Sequence, residues 1–163
     1  MTGHKDTWYA YTDGSCMRNP DGEGGWACIV FDPAGSPIKS SGYAPTTTNQ
    51  RMELMAVIQA IKMVPEGRPM VIYSDSAYVC NSIMKGWLKK WTTTGWKTSS
   101  GAAVANQDLW LDMIDGLAKH EVSMVWVKGH STNIFNNECD IMARDISVFA
   151  KNVHAKFTEY INT

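Results

Sequence analysis

A chain of 163 residues, 44% of them hydrophobic, fits one domain and can fill its core, whereas two full domains would be cramped. Fifteen basic residues against sixteen acidic ones leave a formal net charge of −1, so whole-chain charge neither favours nor excludes a polyanionic partner. No run approaches the roughly 18 apolar residues of a membrane span, and the N-terminus lacks the apolar segment of an export signal.

In chain order, the first element is a strand from Trp8 into Thr12-Asp13-Gly14-Ser15. Aromatic and β-branched residues favour extended backbone and Asp-Gly-Ser favours a turn, so Asp13 is expected at the strand's end, where the chain breaks into a Gly-rich loop. Gly22-Glu23-Gly24-Gly25 leads into a second strand, Trp26 to Phe31, and Asp32-Pro33-Ala34-Gly35 turns into a third, Pro37 to Tyr43. Three neighbouring antiparallel strands follow from that pattern. A helix begins near Thr48-Asn49, capped through Thr47-x-x-Gln50 or by Asn49, and ends at Pro65 and Gly67. Glu53 falls in its first or second turn.

Pro69 to Tyr73 is a short apolar run of the kind found in parallel strands covered on both faces, and Ser74-Asp75-Ser76 stops it. Asp75 repeats the Asp13 arrangement. Ligands of α/β sheets gather outside the carboxyl ends of strands, so these two acids, on adjacent strands, would face one crevice. Residues 77–93 read as helix, with Gly86 the point where it can break, and an irregular excursion around Trp96-Lys97 follows. Lys85, Lys89, Lys90 and Lys97 lie between Asp75 and Asp108 with no acid among them, which makes the segment locally basic.

Asn106-Gln107-Asp108 opens a further helix, with Leu109, Met113 and Leu117 four apart on one face. Val122 to Val127 is the fifth strand, broken by Lys128-Gly129-His130. Ser131 to Asn137 reads as a polar loop and Glu138 to Ala150 as a helix with Asp140 in its first turn. Residues 151–163 read as a C-terminal tail without a firm pattern. The chain is thus one α/β domain, core about 8–150, with a five-stranded mixed sheet, three strands antiparallel and then parallel ones, flanked by helices. Cys16, Cys28, Cys80 and Cys139 form no C-x-x-C pair; four cysteines could make two disulfides, but without an export signal reduced thiols in a cytoplasmic protein are expected.

Each acid alone has a structural explanation. Asp at a strand end caps turns, and Glu early in a helix suits the macrodipole. Four acids (Asp13, Glu53, Asp75, Asp140) at the ends of elements that should meet are different, because gathered carboxylates raise one another's pKa unless a cation neutralises them. Their hard oxygens select Mg²⁺ or Mn²⁺ over zinc.

Thr12-Asp13-Gly14-Ser15-Cys16, Thr48-Asn49-Gln50-Arg51-Met52-Glu53-Leu54, Ser74-Asp75-Ser76, Trp126-Val127-Lys128-Gly129-His130 and Cys139-Asp140-x-x-Ala143-Arg144 resemble, in order and spacing, the successive motifs of type 1 ribonuclease H. The bacterial ribonuclease HI branch is the most similar, through Gly86-Trp87, Trp96-Lys97-Thr98 and Asp108-Leu109-Trp110. The resemblance implies endonucleolytic hydrolysis of the RNA strand of RNA–DNA hybrids, with two Mg²⁺ ions in the presence of substrate (Mn²⁺ a possible substitute) and 3′-hydroxyl and 5′-phosphate products. It implies that Asp13 bridges both metals, that Glu53 and Asp75 complete one site, and that Asp140 completes the other. His130 would move protons or assist product release.

Asn19, Asn49 and Gln50 match positions that contact the hybrid's minor groove, and Lys85, Lys89, Lys90, Trp91 and Lys97 match the basic protrusion. By spacing alone, Trp87 and Trp91, four apart, fit a packed helix face better than base stacking. A monomer is expected, with no separate hybrid-binding domain ahead of Trp8. Departures from the family pattern are Ser131 to Phe135 where a second histidine is common, Asn137 for an acid, Ala77 for a polar residue, and Thr or Ser in place of protrusion lysines. A nuclease of the same fold acting on DNA, or a catalytically idle hybrid-binding module, is the competing function.

Overall fold

The computed structural model describes residues 6–129 and 132–162. The strands are β1 (Trp8–Cys16), β2 (Gly22–Phe31), β3 (Pro37–Thr47), β4 (Met70–Ser74) and β5 (Val122–Trp126). The helices are α1 (Asn49–Lys62), α2 (Ala77–Met84), α3 (Trp87–Thr93), α4 (Gln107–Leu117) and α5 (Ile134–Ile161). One sheet runs β3-β2-β1-β4-β5; β1, β2 and β3 pair antiparallel, while β1, β4 and β5 pair parallel, which is the expected mixed sheet.

Successive strand residues point to opposite faces, and Gly24 and Gly25 show what lies on each. A Cβ on Gly24 would sit 3.0 Å from Met52 Cγ of α1, and one on Gly25 would sit 2.7 Å from the Ala143 carbonyl oxygen of α5. Helices α1 and α5 therefore cover opposite faces of β2. The run Gly22 to Gly25, expected as a loop, is strand; Gly24 and Gly25 serve close helix approach, while Gly22 packs on the Arg18 backbone. The third strand likewise runs past Tyr43 to Thr47, because Ala44 and Thr47 pair with Gly24 and Gly22.

Leu54, Val57, Ile58 and Ile61 of α1 are buried in the core with Ala10, Val30 and Ile72 of the sheet, and α4 closes over α1 with Leu109, Trp110 and Met113. The fully buried Trp110 donates its indole N–H to Tyr78 Oη at 2.9 Å and packs edge-on against Trp91, ring centroids 5.6 Å apart. Gly86, at φ 78°, separates α2 from α3 where the sequence allowed a break. All four cysteines are free thiols.

The largest departure is α5. It starts at Ile134 because Asn133 caps it, its side-chain oxygen accepting the Asn136 N–H at 2.9 Å, and it runs 28 residues to Ile161. The expected polar loop thus ends at Asn133, Asp140 lies in the second helical turn, and residues 151–161, expected as an unpatterned tail, are exposed helix.

Candidate active site

The β1–β4 ladder ends at Thr12 opposite Ser74, so Asp13 and Asp75 are the next residue on each of two adjacent parallel strands. Asp75 lies one residue past its strand. Asp13 does not end β1 as expected, because β2 continues to pair with that strand as far as Cys16. Thr12 Oγ1 ties the two strand ends by donating to the Tyr73 carbonyl at 3.2 Å.

Glu53 reaches the same point from α1. Thr48 caps that helix, accepting the Arg51 N–H at 3.1 Å, and the cap falls on Thr48 and not on Thr47 or Asn49. Gly14 brings helix and strand together: a Cβ there would overlap the backbone nitrogen of Glu53 and sit 2.5 Å from the Met52 carbonyl carbon. One carboxylate oxygen from each of Asp13, Glu53 and Asp75 lies within 4.8 Å of the others.

Burial makes this cluster electrostatically costly. Asp13 is 2% exposed, and its carboxyl is pushed up to about 7 by burial first, then by the charges of Asp75 and Asp140, against the hydrogen bond from Glu53. Glu53 is raised well above the ordinary range by burial, then by Asp13 and Asp75. The two carboxyls lie close enough to act on each other, and burial disfavours the ionised form of both. With both groups ionised, Asp13 Oδ2 and Glu53 Oε2 are buried acceptors without a donor among the described residues. Asp13 Oδ1 accepts the Gly14 N–H at 2.9 Å. Orphaned carboxylate oxygens beside a third carboxylate fit a hard divalent cation, and with no sulfur or imidazole in the cluster among the described residues, Mg²⁺ or Mn²⁺ suits it better than zinc.

Asp140 is not drawn into that group of three. Its Oδ1 accepts from Arg144 Nε at 3.1 Å, one turn along α5, although its charge is felt at Asp13. His130, expected to handle protons, lies outside the described residues, as does Ser131. The preceding residue passes over the cluster: a Cβ on Gly129 would lie 3.1 Å from Asp75 Oδ2.

Asn19, Asn49 and Gln50 are exposed together at the start of α1, where Asn19 Oδ1 accepts the Asn49 N–H at 3.2 Å. The lysines form a separate group. Lys85 follows α2, Lys89 and Lys90 lie on α3, and Lys97 pairs with Ala103 in an isolated bridge; all four side chains are exposed. Lys90, Trp91 and Lys97 share a surface cavity of about 300 Å³ with Trp87, Thr98 and Ser99. The Trp91 ring also packs on Trp96 and Trp110, so it carries a packing role whatever else it touches.

Sequence reasoning gave several supporting residues no individual role. Trp126 donates its indole N–H to the Asp75 carbonyl at 3.1 Å, fixing the backbone of that acid. Cys139, kept protonated because burial pushes its thiol up, donates to the Tyr11 carbonyl at 3.3 Å and so ties the helix of Asp140 to the strand of Asp13. Arg51 forms a two-pronged pair with Asp108 at 2.9 and 2.7 Å, locking the first turn of α1 to α4. The Trp126-to-Gly129 and Cys139-Asp140 motifs were the available signal for the first two; pairing of Arg51 with Asp108 has none, since 57 residues separate them.

The family model for RNase H matches residues 5–147. The ribonuclease H of Prosthecochloris aestuarii is 50% identical over 135 residues, covering 82% of this chain and 90% of the relative. That of a Thermoanaerobacter species is 41% identical over 145 residues, covering 89% and 92%. Among solved structures, LC9-RNase H1, described as a type 1 RNase H with the type 2 active-site motif, superposes with TM-score 0.78 at 27% identity, covering 90% of this chain and 74% of that one. A foamy viral protease-reverse transcriptase in complex with RNA/DNA hybrid shares the fold, with TM-score 0.76 at 21% identity over 90% of this chain and 21% of that one.

Proposed function

This chain belongs to the ribonuclease H family, and on that premise we propose that it cuts the RNA strand of RNA–DNA hybrids by water attack, leaving 3′-hydroxyl and 5′-phosphate ends. The observation that carries the proposal is the group of Asp13, Glu53 and Asp75, gathered where the β1–β4 ladder ends, which is unstable as three anions and chemically suited to a hard cation. In this reading the three would hold one Mg²⁺, with Mn²⁺ a substitute, and Asp140 with Asp13 would hold a second when the hybrid is present. Bound there, a pair of divalent cations would supply an attacking water of lowered pKa and charge compensation at the leaving oxygen.

The chain's own residues do the rest. Asp13 offers one buried oxygen to the centre while its other oxygen stays fixed by the Gly14 N–H, so the ligand geometry is set before substrate arrives. In the balanced step, water oxygen bonds to phosphorus, the bond from phosphorus to the 3′ oxygen breaks, and that oxygen leaves with a proton. His130 is assigned to handling that proton or to product exit. Asn19, Asn49 and Gln50 are assigned to reading 2′-hydroxyls from the wide minor groove, where RNA differs from DNA; their exposure near the α1 start that also presents Glu53 supports that role. We assign the chain a cytoplasmic location and a monomeric state; among the described residues no helix is long and apolar enough to cross a membrane.

Labelled RNA–DNA hybrid, double-stranded RNA and double-stranded DNA, each with and without Mg²⁺, test the assignment. Cleavage confined to the RNA strand of the hybrid and dependent on Mg²⁺ is expected. Cutting of double-stranded DNA would favour a DNA nuclease of the same fold, and binding without cutting would leave only a hybrid-binding module.

The exposed lysines make a separable prediction. Phosphate contacts made equally in the ground and transition states change KM and leave kcat alone. Lys89→Ala with Lys90→Ala is therefore expected to raise KM selectively and to flatten the salt dependence of log K by about 0.7–0.9 per lost contact. Equal KM and equal salt slope in parent and variant would reduce these lysines to a solvated face.

A further inference from the structure

We propose that Arg144 is a positioning residue that reserves Asp140: it holds the fourth acid apart from the buried cluster and so sets the divalent-ion concentration at which the Asp140 side of the centre fills. The inference rests on the proposed role of Asp140 as a cation ligand. Asp13, Glu53 and Asp75 have oxygens within 4.8 Å of one another, and Asp140 is not among them. Its carboxylate is instead engaged by Arg144 Nε at 3.1 Å, one helical turn away.

The neighbours make that pairing consequential. Asp13 already feels the charges of Asp75 and Asp140, so a fourth carboxylate turned fully toward the cluster would add to the repulsion among its acids. A guanidinium stays charged throughout the working pH range and cannot relieve the strain by losing its proton. It therefore neutralises Asp140 locally until a stronger cation competes for the same oxygen. The pair is open enough for such an exchange, with Asp140 27% and Arg144 58% exposed. Cys139 fixes the backbone next to Asp140 through the Tyr11 carbonyl, so the exchange needs a side-chain movement and not a helix shift.

Two measurements test this on the full chain: the Mn²⁺ Kd by calorimetry, and the Mg²⁺ concentration giving half-maximal hybrid cleavage. An exposed ion pair is worth at most about a fivefold change in an equilibrium, so Arg144→Gln is expected to lower the Mg²⁺ requirement about three- to fivefold and to tighten Mn²⁺ in the same direction. Arg144→Lys, which keeps the charge, should stay close to the parent. In an Asp140→Asn background, Arg144→Gln should have no further effect on either measure. An unchanged or higher ion requirement in Arg144→Gln, with Asp140→Asn still impaired, overturns the role of Arg144 alone. Unaltered ion dependence in Asp140→Asn overturns the ligand role of Asp140 and the inference with it.

Discussion

Asp13→Asn is expected to lower hybrid cleavage by at least about 10³-fold, since electrostatic stabilisation by a bound cation is worth several kcal/mol and each 1.4 kcal/mol is a decade in rate. The same change should raise the melting temperature of the metal-free protein at pH 8. Both effects come from one cause. Asp13 is 2% exposed beside Glu53 and Asp75, so in the absence of a cation its ionisation opposes folding.

The sign follows from linkage. A carboxyl raised from 3.8 to about 7 binds its proton more tightly folded than unfolded, so its contribution to stability is complete below about pH 4 and is lost as pH rises through about 7. At 1.36 kcal/mol per unit the loss is on the order of 4 kcal/mol, shared with Glu53 because the two carboxyls act on each other. The advantage of Asp13→Asn in melting temperature should therefore shrink as pH falls from 8 to 5. Circular-dichroism melts across that range, with EDTA present, read the effect directly. A variant that keeps most of its Mg²⁺-dependent cleavage, or melts below the parent at pH 8, would remove Asp13 from the centre of the mechanism.

Gly14→Ala is the second large effect, and it separates position from charge. The added methyl would overlap the Glu53 backbone nitrogen and lie 2.5 Å from the Met52 carbonyl carbon, and neither atom belongs to a flexible side chain. Helix α1 must move away from β1 to make room. Overpacking of this kind costs about 1–3 kcal/mol of stability, and a displacement near 1 Å of a ligand such as Glu53 costs about 10²-fold in rate. Reduced kcat/KM in a variant that still melts cooperatively is the expected outcome. Parent-like kcat/KM would show that the close approach of β1 and α1 is not what sets the position of Glu53.

The mixed sheet and the convergence of three of the four expected acids, Asp13, Glu53 and Asp75, were legible because local signals place those residues. Asp13 and Asp75 each follow an apolar or aromatic run, and Glu53 follows a helix start, which sets them near one another although Asp13 lies within β1 and the cap is Thr48. What was misread depends on neighbours distant in sequence. Gly22 to Gly25 looks like a loop because glycine in isolation does not distinguish a turn from a strand pressed between helices; only Met52 and Ala143 reveal which it is. Residues 151–161 bury no side chain, so their helix lacks the inward-facing stripe that marks most helices, even though Phe149, Val153 and Phe157 stand four apart. Asp140 was assigned to a first turn because the cap at Asn133 lies inside a stretch that reads as polar loop. Its separation from the other acids by Arg144 is a side-chain choice that the motif itself does not reveal.

The most direct test of the central claim, that the buried carboxylates form a divalent-cation centre, is calorimetric titration of Mg²⁺ into the metal-free protein at pH 7 in buffers of different ionisation enthalpy. Burial raises both Glu53 and Asp13 above the ordinary carboxylate range, so a cation that takes over their oxygens is expected to expel a proton. A buffer-dependent heat equivalent to about one released proton, shrinking as pH rises, is expected, with Mg²⁺ binding strongly weakened in Asp13→Asn. Heat independent of the buffer, or Asp13→Asn binding Mg²⁺ as tightly as the parent, would contradict it.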